Sequence, residues 1–377
     1  GGSLFLETSA QRMDLFSEHK YSWQTSPIMI GYRQSLFGYN SLKWDKRIEP
    51  VRYQEAKKSY VETLELVSAN AINKFFALAT AQSNYDIASF NYANADTLYR
   101  YAQGRYNIGT ITENEMLQLE LNRLTEETNR MNARIEMDNC MQELRSYLGI
   151  QEEREIRVRV SSRIPDFSIN LNEALALAYE NSPDIQTMKR RKLESESAVA
   201  RARANAGLKA DIYLRFGLTQ TADKLPEAYR NLLDQQYVSL SISLPILDWG
   251  RGKGQVRVAR SNRDLVYTQV EQNRTDFELN VRKLVKQFNL QTQRVRIAAR
   301  TDETAQRRNE VARKLYILGK STILDLNASI SEKDSARRNY VSALYNYWSL
   351  YYTLRSMTLY DFESNKLLTE DYNLLIE

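Results

Sequence analysis

One cysteine, Cys140, and one histidine, His19, among 377 residues remove most ordinary enzyme chemistry from consideration. A lone thiol excludes an intrachain disulfide and a cysteine-cluster metal site. A lone imidazole excludes multi-histidine sites and speaks against a His-based triad. No apolar run approaches the roughly 18 to 20 residues of a membrane-spanning helix, so residence in a membrane would have to be by strands. Charge of one sign is scarce too: 52 Lys and Arg against 47 Asp and Glu leave a formal +5, spread through both halves, which argues against nucleic-acid binding. A charged start, apolar core and small-residue cleavage site are missing from Gly1 onward, as in a cytosolic, processed or truncated chain.

Proline is sparse, and its placement is informative. Pro27, Pro50, Pro165, Pro183, Pro226 and Pro245 leave 51–164 and 246–377 free of the strongest helix breaker. Each region reads as a helix, a tight turn near Gly109 or Gly319, and a returning helix. Leu64, Ala71, Leu78, Tyr85, Tyr92, Tyr99 and Tyr106 recur every seven residues in the first region, and Phe277, Val281, Leu284, Phe288, Val295 and Ala298 trace a stripe in the second. A period of 3.5 keeps a narrow seam facing a neighbouring helix, so these are coiled-coil seams.

The two halves are one pattern written twice at an offset of 210 residues. Tyr106, Gly109 and Thr112 fall on Tyr316, Gly319 and Thr322, and Leu144, Arg145 and Ser146 fall on Leu354, Arg355 and Ser356. A helical stretch precedes the strands of the second half and nothing precedes those of the first, so a first helix is expected to be missing here. Between the rods the period changes to two. Ile212, Leu214, Phe216 and Leu218 alternate with Asp211, Tyr213, Arg215 and Gly217, and Val238, Leu240, Ile242 and Leu244 with Ser239, Ser241 and Ser243. Ile28, Ile30 and Tyr32 repeat this less cleanly. Trp23, Tyr39 and Trp249 stand at strand ends, where amphipathic rings of a membrane belt would sit.

Few residues are candidates for chemistry. Gly250 to Gly254 could present backbone N–H groups to a phosphate, but the spacing fits neither nucleotide motif and a strand-to-helix junction is the simpler reading. His19 reads as a loop residue and Cys140 as a packed thiol. The Asn273 and Asn327 glycosylation sequons fall inside expected helices. The tyrosine heptad could be a stacking ladder for a ligand, although aromatic residues at helical spacing are more often core. No catalytic residue, metal or cofactor is expected.

Four motifs carry a resemblance. The run from Tyr316 to Leu326, YILGKSTILDL, resembles the periplasmic turn of the TolC-type outer membrane efflux protein family, and Tyr106 to Met116, YNIGTITENEM, the matching turn of its first repeat. Leu244 to Gly250 is similar to the family's junction after the last barrel strand, and Leu171 to Ile185 to its equatorial-helix signature. The resemblance implies a homotrimer in which each chain gives four strands to a twelve-stranded β-barrel in the Gram-negative outer membrane. An α-helical barrel continues it through the periplasm and meets a periplasmic adaptor and an inner-membrane RND or ABC transporter. It implies that Tyr316, Glu115 and Asp325 form the periplasmic gate and entrance. It implies that Tyr106, Gly109, Thr110, Thr112, Gly319, Lys320, Ser321 and Thr322 form the adaptor-docking turns. Ser321 occupies the place of the family's gate arginine, so a closed state would rest on Lys320 or on packing.

Barrel closure points the same way: four strands cannot close, eight fill with side chains, and twelve leave room for water. The fold expected is mostly α with a small β part. A first repeat would cover 1–166, with strands about 3–9 and 26–37 and helices about 50–103 and 112–148. A second would cover 167–377, with a helix about 172–209, strands about 210–220 and 236–247, helices about 254–316 and 322–362, and a C-terminal equatorial segment. The function expected is a passive exit duct of a tripartite efflux pump or type I secretion system. A soluble coiled-coil scaffold explains the heptads but not the strands, and a nucleotide-dependent enzyme using Gly250 to Gly254 is the remaining rival.

Overall fold

The computed structural model describes residues 2–17, 20–152, 155–161, 164–318 and 320–368. His19, Gly319 and the last residues of the expected C-terminal segment lie outside the described residues. Four long strands, β1 (Gly2–Leu15), β2 (Lys20–Ser35), β3 (Lys209–Ala222) and β4 (Leu233–Ser243), form one antiparallel sheet in the order β1-β2-β3-β4. The helices are α1 (Ser41–Asn107), α2 (Glu113–Tyr147), α3 (Leu171–Asn181), α4 (Pro183–Ala206), α5 (Arg251–Ile317) and α6 (Ile323–Thr358). A two-stranded ribbon, β5 (Tyr360–Asp361) and β6 (Lys366–Leu367), follows α6. The chain divides into two compact units, residues 1–56 with 184–275 and residues 57–183 with 276–377.

In the first unit the sheet register sorts the side chains into rows. Leu4, Tyr32, Leu214 and Val238 pair across the sheet, as do Leu6, Ile30 and Phe216, and apart from half-buried Leu214 these apolar rows are exposed: Leu4 and Leu6 at 75% and Val238 at 69%. The alternate row, Ser3, Arg33, Tyr213 and Ser239, is polar, with Ser241 opposite Asp211 one step along. β1 runs to Leu15, well beyond the segment marked by alternation. After the irregularity between Glu7 and Ser9 polar and apolar residues no longer alternate cleanly, with Ala10, Met13 and Leu15 among Ser9, Gln11, Arg12 and Asp14, so pairing continues where the hydropathy signal stops.

α1 and α5 have 67 residues each, about 100 Å at 1.5 Å per residue, and they begin 210 residues apart. α1 starts at Ser41, not near Pro50, because the Asn40 side chain accepts the Lys43 N–H (3.0 Å) and caps it, and the helix passes through Pro50 at the loss of one backbone bond. Proline does act at Pro183: the single helix expected over 172–209 is two, α3 and α4, with Ser182 extended between them. The Arg190 guanidinium on α4 grips Glu55 on α1 through two bonds (2.6 and 3.0 Å), holding that carboxyl below its usual range.

In the second unit α1 pairs with α2 and α5 with α6. Leu78, Ala81, Met137, Cys140 and Leu144 form a buried cluster between α1 and α2, so Cys140 is a packed thiol whose pKa burial pushes up. Ala81, Ala88, Ala95 and Ala102, seven apart, are buried beside the tyrosine heptad. The tyrosines are a packing surface: Arg134, Arg130 and Arg123 of α2 lie over Tyr85, Tyr92 and Tyr99 at 5.6, 4.2 and 5.5 Å. On α5 the buried seam runs Val281, Phe288 and Val295, then turns polar at Asp302 and Asn309. Phe288, Phe167, Tyr347 and Tyr351 make an aromatic cluster with centroids 5.1 to 5.9 Å apart.

Candidate functional site: the two hairpin turns and the sheet faces

Both hairpins turn by the same chemistry. In the first, Gly109 adopts φ 74°, and Thr110 N–H reaches back to the Arg105 carbonyl (2.9 Å). In the second, Lys320 N–H makes the equivalent bond to Leu315 (2.9 Å). The returning helices then open with capping boxes. Thr112 Oγ1 accepts from Glu115 N–H (3.3 Å), and the Glu115 carboxylate accepts from Thr112 N–H (2.9 Å). Thr322 and Asp325 repeat the exchange at 3.2 and 3.3 Å, with Thr322 Oγ1 also donating to the carboxylate (2.6 Å). Ser321 Oγ adds a bond at 3.3 Å. The Thr322 hydroxyl, with the Thr322 N–H and Ser321, holds the Asp325 carboxyl below its usual range. The signature Thr-x-x-Glu/Asp was present in the sequence at both turns, and sequence reasoning missed it.

Glu115 and Asp325, singled out as gate acids, thus anchor their own helix starts. Tyr316 sits where desolvation raises its pKa, with Arg105, Glu115 and Tyr101 close enough to act on it. A pocket of about 200 Å³ lies beneath it, lined in part by Leu98, Tyr101, Tyr316, Leu326 and Ile330. Tyr106 and the apolar Ile108, Leu318 and Leu324 are exposed at the turns. Gly319 lies outside the described residues.

The strand-end aromatics separate. Trp249 is 95% exposed, beside exposed Ile246 and Leu247. Tyr39 instead hydrogen-bonds Ser197 (2.6 Å) under the Arg201 guanidinium (4.6 Å). Trp23 lies within β2, opposite Arg12, whose guanidinium is 5.8 Å from its ring. The glycine-rich segment is a strand-to-helix junction: Asp248 accepts the N–H groups of Gly250 (2.9 Å) and Gly252 (2.8 Å), which an anion would otherwise need. Among the described residues no helix is long and apolar enough to cross a membrane, and no cluster of acidic, His or Cys residues could hold a metal.

A four-stranded sheet with one exposed apolar face, followed by paired rods of 67 residues, defines an outer-membrane channel subunit. The comparisons agree. The chain superposes on the CmeC outer membrane channel of Campylobacter jejuni with a TM-score of 0.78 at 15% identity, covering 100% of this chain and 80% of that one. It matches the outer membrane protein VceC of Vibrio cholerae at 0.75 and 15% identity, over 95% and 87%. It matches the open-state MtrE outer membrane channel of Neisseria gonorrhoeae at 0.74 and 13% identity, over 98% and 81%. No curated protein sequence matches. Residues 174–358 match the family described as outer membrane efflux protein. The chain is an efflux duct of the outer membrane and not an enzyme.

Proposed function

We propose that three copies of this chain close a twelve-stranded barrel in the outer membrane, continued by a helical barrel that a periplasmic adaptor and an inner-membrane transporter of the RND or ABC type engage at the hairpin turns. The carrying observation is the sheet: an exposed apolar face with β1 and β4 unpaired at its edges among the described residues, a state that lipid does not tolerate. The apolar stretch of β3, from Ala210 to Leu218, rises roughly 23 Å at about 3.3 Å per residue and a tilt of about 40°, against an apolar band of about 25 Å. The polar row with Arg33, Tyr213 and Ser239 then faces a wet bore, and Trp249 with Ile246 and Leu247 meets the lipid interface.

The helices support self-association as well. Leu117, Leu121, Leu124, Met131 and Ile135 are exposed at heptad spacing on α2, and Leu290, Ile297 and Val311 on α5. These seams suit neighbouring copies. Tyr316, Glu115 and Asp325 would ring the entrance, and the exposed Ile108, Leu318 and Leu324 with Tyr106, Thr110, Lys320 and Ser321 would receive the adaptor. Asp325→Asn, which removes the charge while retaining the shape of the cap, should lower cation preference in planar-bilayer reversal potentials. Unchanged selectivity in conducting particles would remove Asp325 from the entrance.

A further inference from the structure

We propose that the bore face of the sheet carries a binding shelf for planar aromatic anions, built from the rings of Phe5, Tyr213 and Tyr237 with Arg215 as the partner of the negative charge. The proposal rests on the duct reading, which turns this face toward water.

On the face opposite the apolar rows, Phe5, Gly31, Arg215 and Tyr237 form one row across all four strands, next to the row of Ser3, Arg33, Tyr213 and Ser239. Gly31 makes room for its neighbour, since a Cβ there would collide with the Phe5 ring. Phe5 therefore lies over the strand and stacks on Tyr213 at 5.9 Å and 24°, and Tyr213 meets Tyr237 edge-on at 6.0 Å and 68°. One row along, Gly217 repeats the device, because a Cβ there would collide with the sulfur of fully buried Met29. Three strand gaps of about 4.8 Å and one two-residue step give a platform about 14 Å by 7 Å, the size of a two- or three-ring aromatic.

Two observations point to a ligand. The rings are not a buried core, for Tyr237 is 50% exposed and Phe5 and Tyr213 are half-buried, yet two strand-interior glycines weaken the sheet to lay this surface flat. A glycine so placed marks close approach. The second observation is Arg215, whose Nε is buried without a hydrogen-bond partner, as is Gln235 Oε1 one row along. A guanidinium beside rings offers a planar fork to a carboxylate or sulfonate while the rings take the ligand's flat face. Arg33 adds a second cation in the next row. The carboxylates of this face stand apart from Arg215: Asp211 is four residues along β3, about 13 Å, and Glu7 is two strands and one row away, about 12 Å, both beyond a screening length of about 10 Å in 0.1 M salt.

The test uses the full-length trimer and naphthalene-2-sulfonate as the probe, read by fluorescence anisotropy with detergent-solubilised particles and by block of potassium chloride current in planar bilayers. The parent should bind and be blocked. At unchanged particle mass, Arg215→Gln should weaken both by about tenfold and Tyr237→Leu by severalfold. Ser241→Ala, on the same face two rows beyond Tyr237, should match the parent. Methanesulfonate, which has the charge without rings, and naphthalene-2-methanol, which has rings without the charge, should each act at least tenfold more weakly. Equal binding by parent and Arg215→Gln, or equal action of either control compound, overturns the shelf; if Arg215→Gln does not assemble, equal binding by parent and Tyr237→Leu does so. A parent that forms no conducting pore would instead remove the duct reading, while the anisotropy titration still decides whether the rings and Arg215 hold the probe.

Discussion

The two hairpins share turn geometry, capping boxes and helix length at an offset of 210 residues, yet they hold together differently. α1 and α2 join through small alanines, a compact cluster around Leu78 and arginines laid over tyrosines. α5 and α6 join through a dense aromatic cluster at one end and a polar seam toward the turn. An identical template with different fillings teaches that the repeat supplies the scaffold, while the filling sets which pair stays fixed and which can move.

The contrast should be largest at the repeat-related arginines. Arg355 is half-buried between Glu65 (2.8 Å) and Asp361 (3.7 Å) and lies over Tyr351 and Tyr352, whereas Arg145 reaches a backbone carbonyl of Glu152. Arg355→Met should cost about 3 to 5 kcal/mol, because it strands the buried Glu65, and Arg145→Met clearly less. Urea midpoints of the two variants measure this, and equal losses would erase the distinction between the halves at that level.

The caps should instead behave alike. Thr112→Ala and Thr322→Ala should each cost about 1 kcal/mol, read from the same midpoints. Acid sharpens the second case. Asp325 has a folded pKa below its unfolded value, so its contribution is fully present above the ordinary carboxylate range and is lost as pH falls through the folded pKa. Hydrogen exchange at the start of α6 should therefore rise in that acidic window in the parent and change less in Asp325→Asn. An identical pH response in both would show that the carboxylate does not hold the cap.

The smallest effect is expected on the tyrosine ladder. Arg130→Ala, which uncovers Tyr92, should cost about 0.5 to 1 kcal/mol, since a partly exposed cation over a ring contributes little more. A larger loss would mean that the arginines bear on a neighbouring copy too.

Much of this was legible in the sequence for physical reasons. The seven-residue period through Leu78, Tyr85 and Tyr92, and the two-residue period through Ile212 to Leu218, are direct imprints of helix and strand geometry. The start of α1 was not, because Pro50 looks like a boundary and only the Asn40 cap shows otherwise. The length of β1 was hidden where the alternation breaks down after Glu7. Arg123 and Arg130 repeat at the tyrosine spacing, but which helix faces which is a tertiary fact. The bond from Asn91 to Asp334 was illegible for the same reason: the two are 243 residues apart, and nothing local marks Asp334 as buried.

The central claim is that open-edged sheets from separate copies close one barrel. The mass of the detergent-solubilised particle tests it most directly. Three chains of 43.9 kDa each are predicted, and a particle of one or two chains would contradict the account.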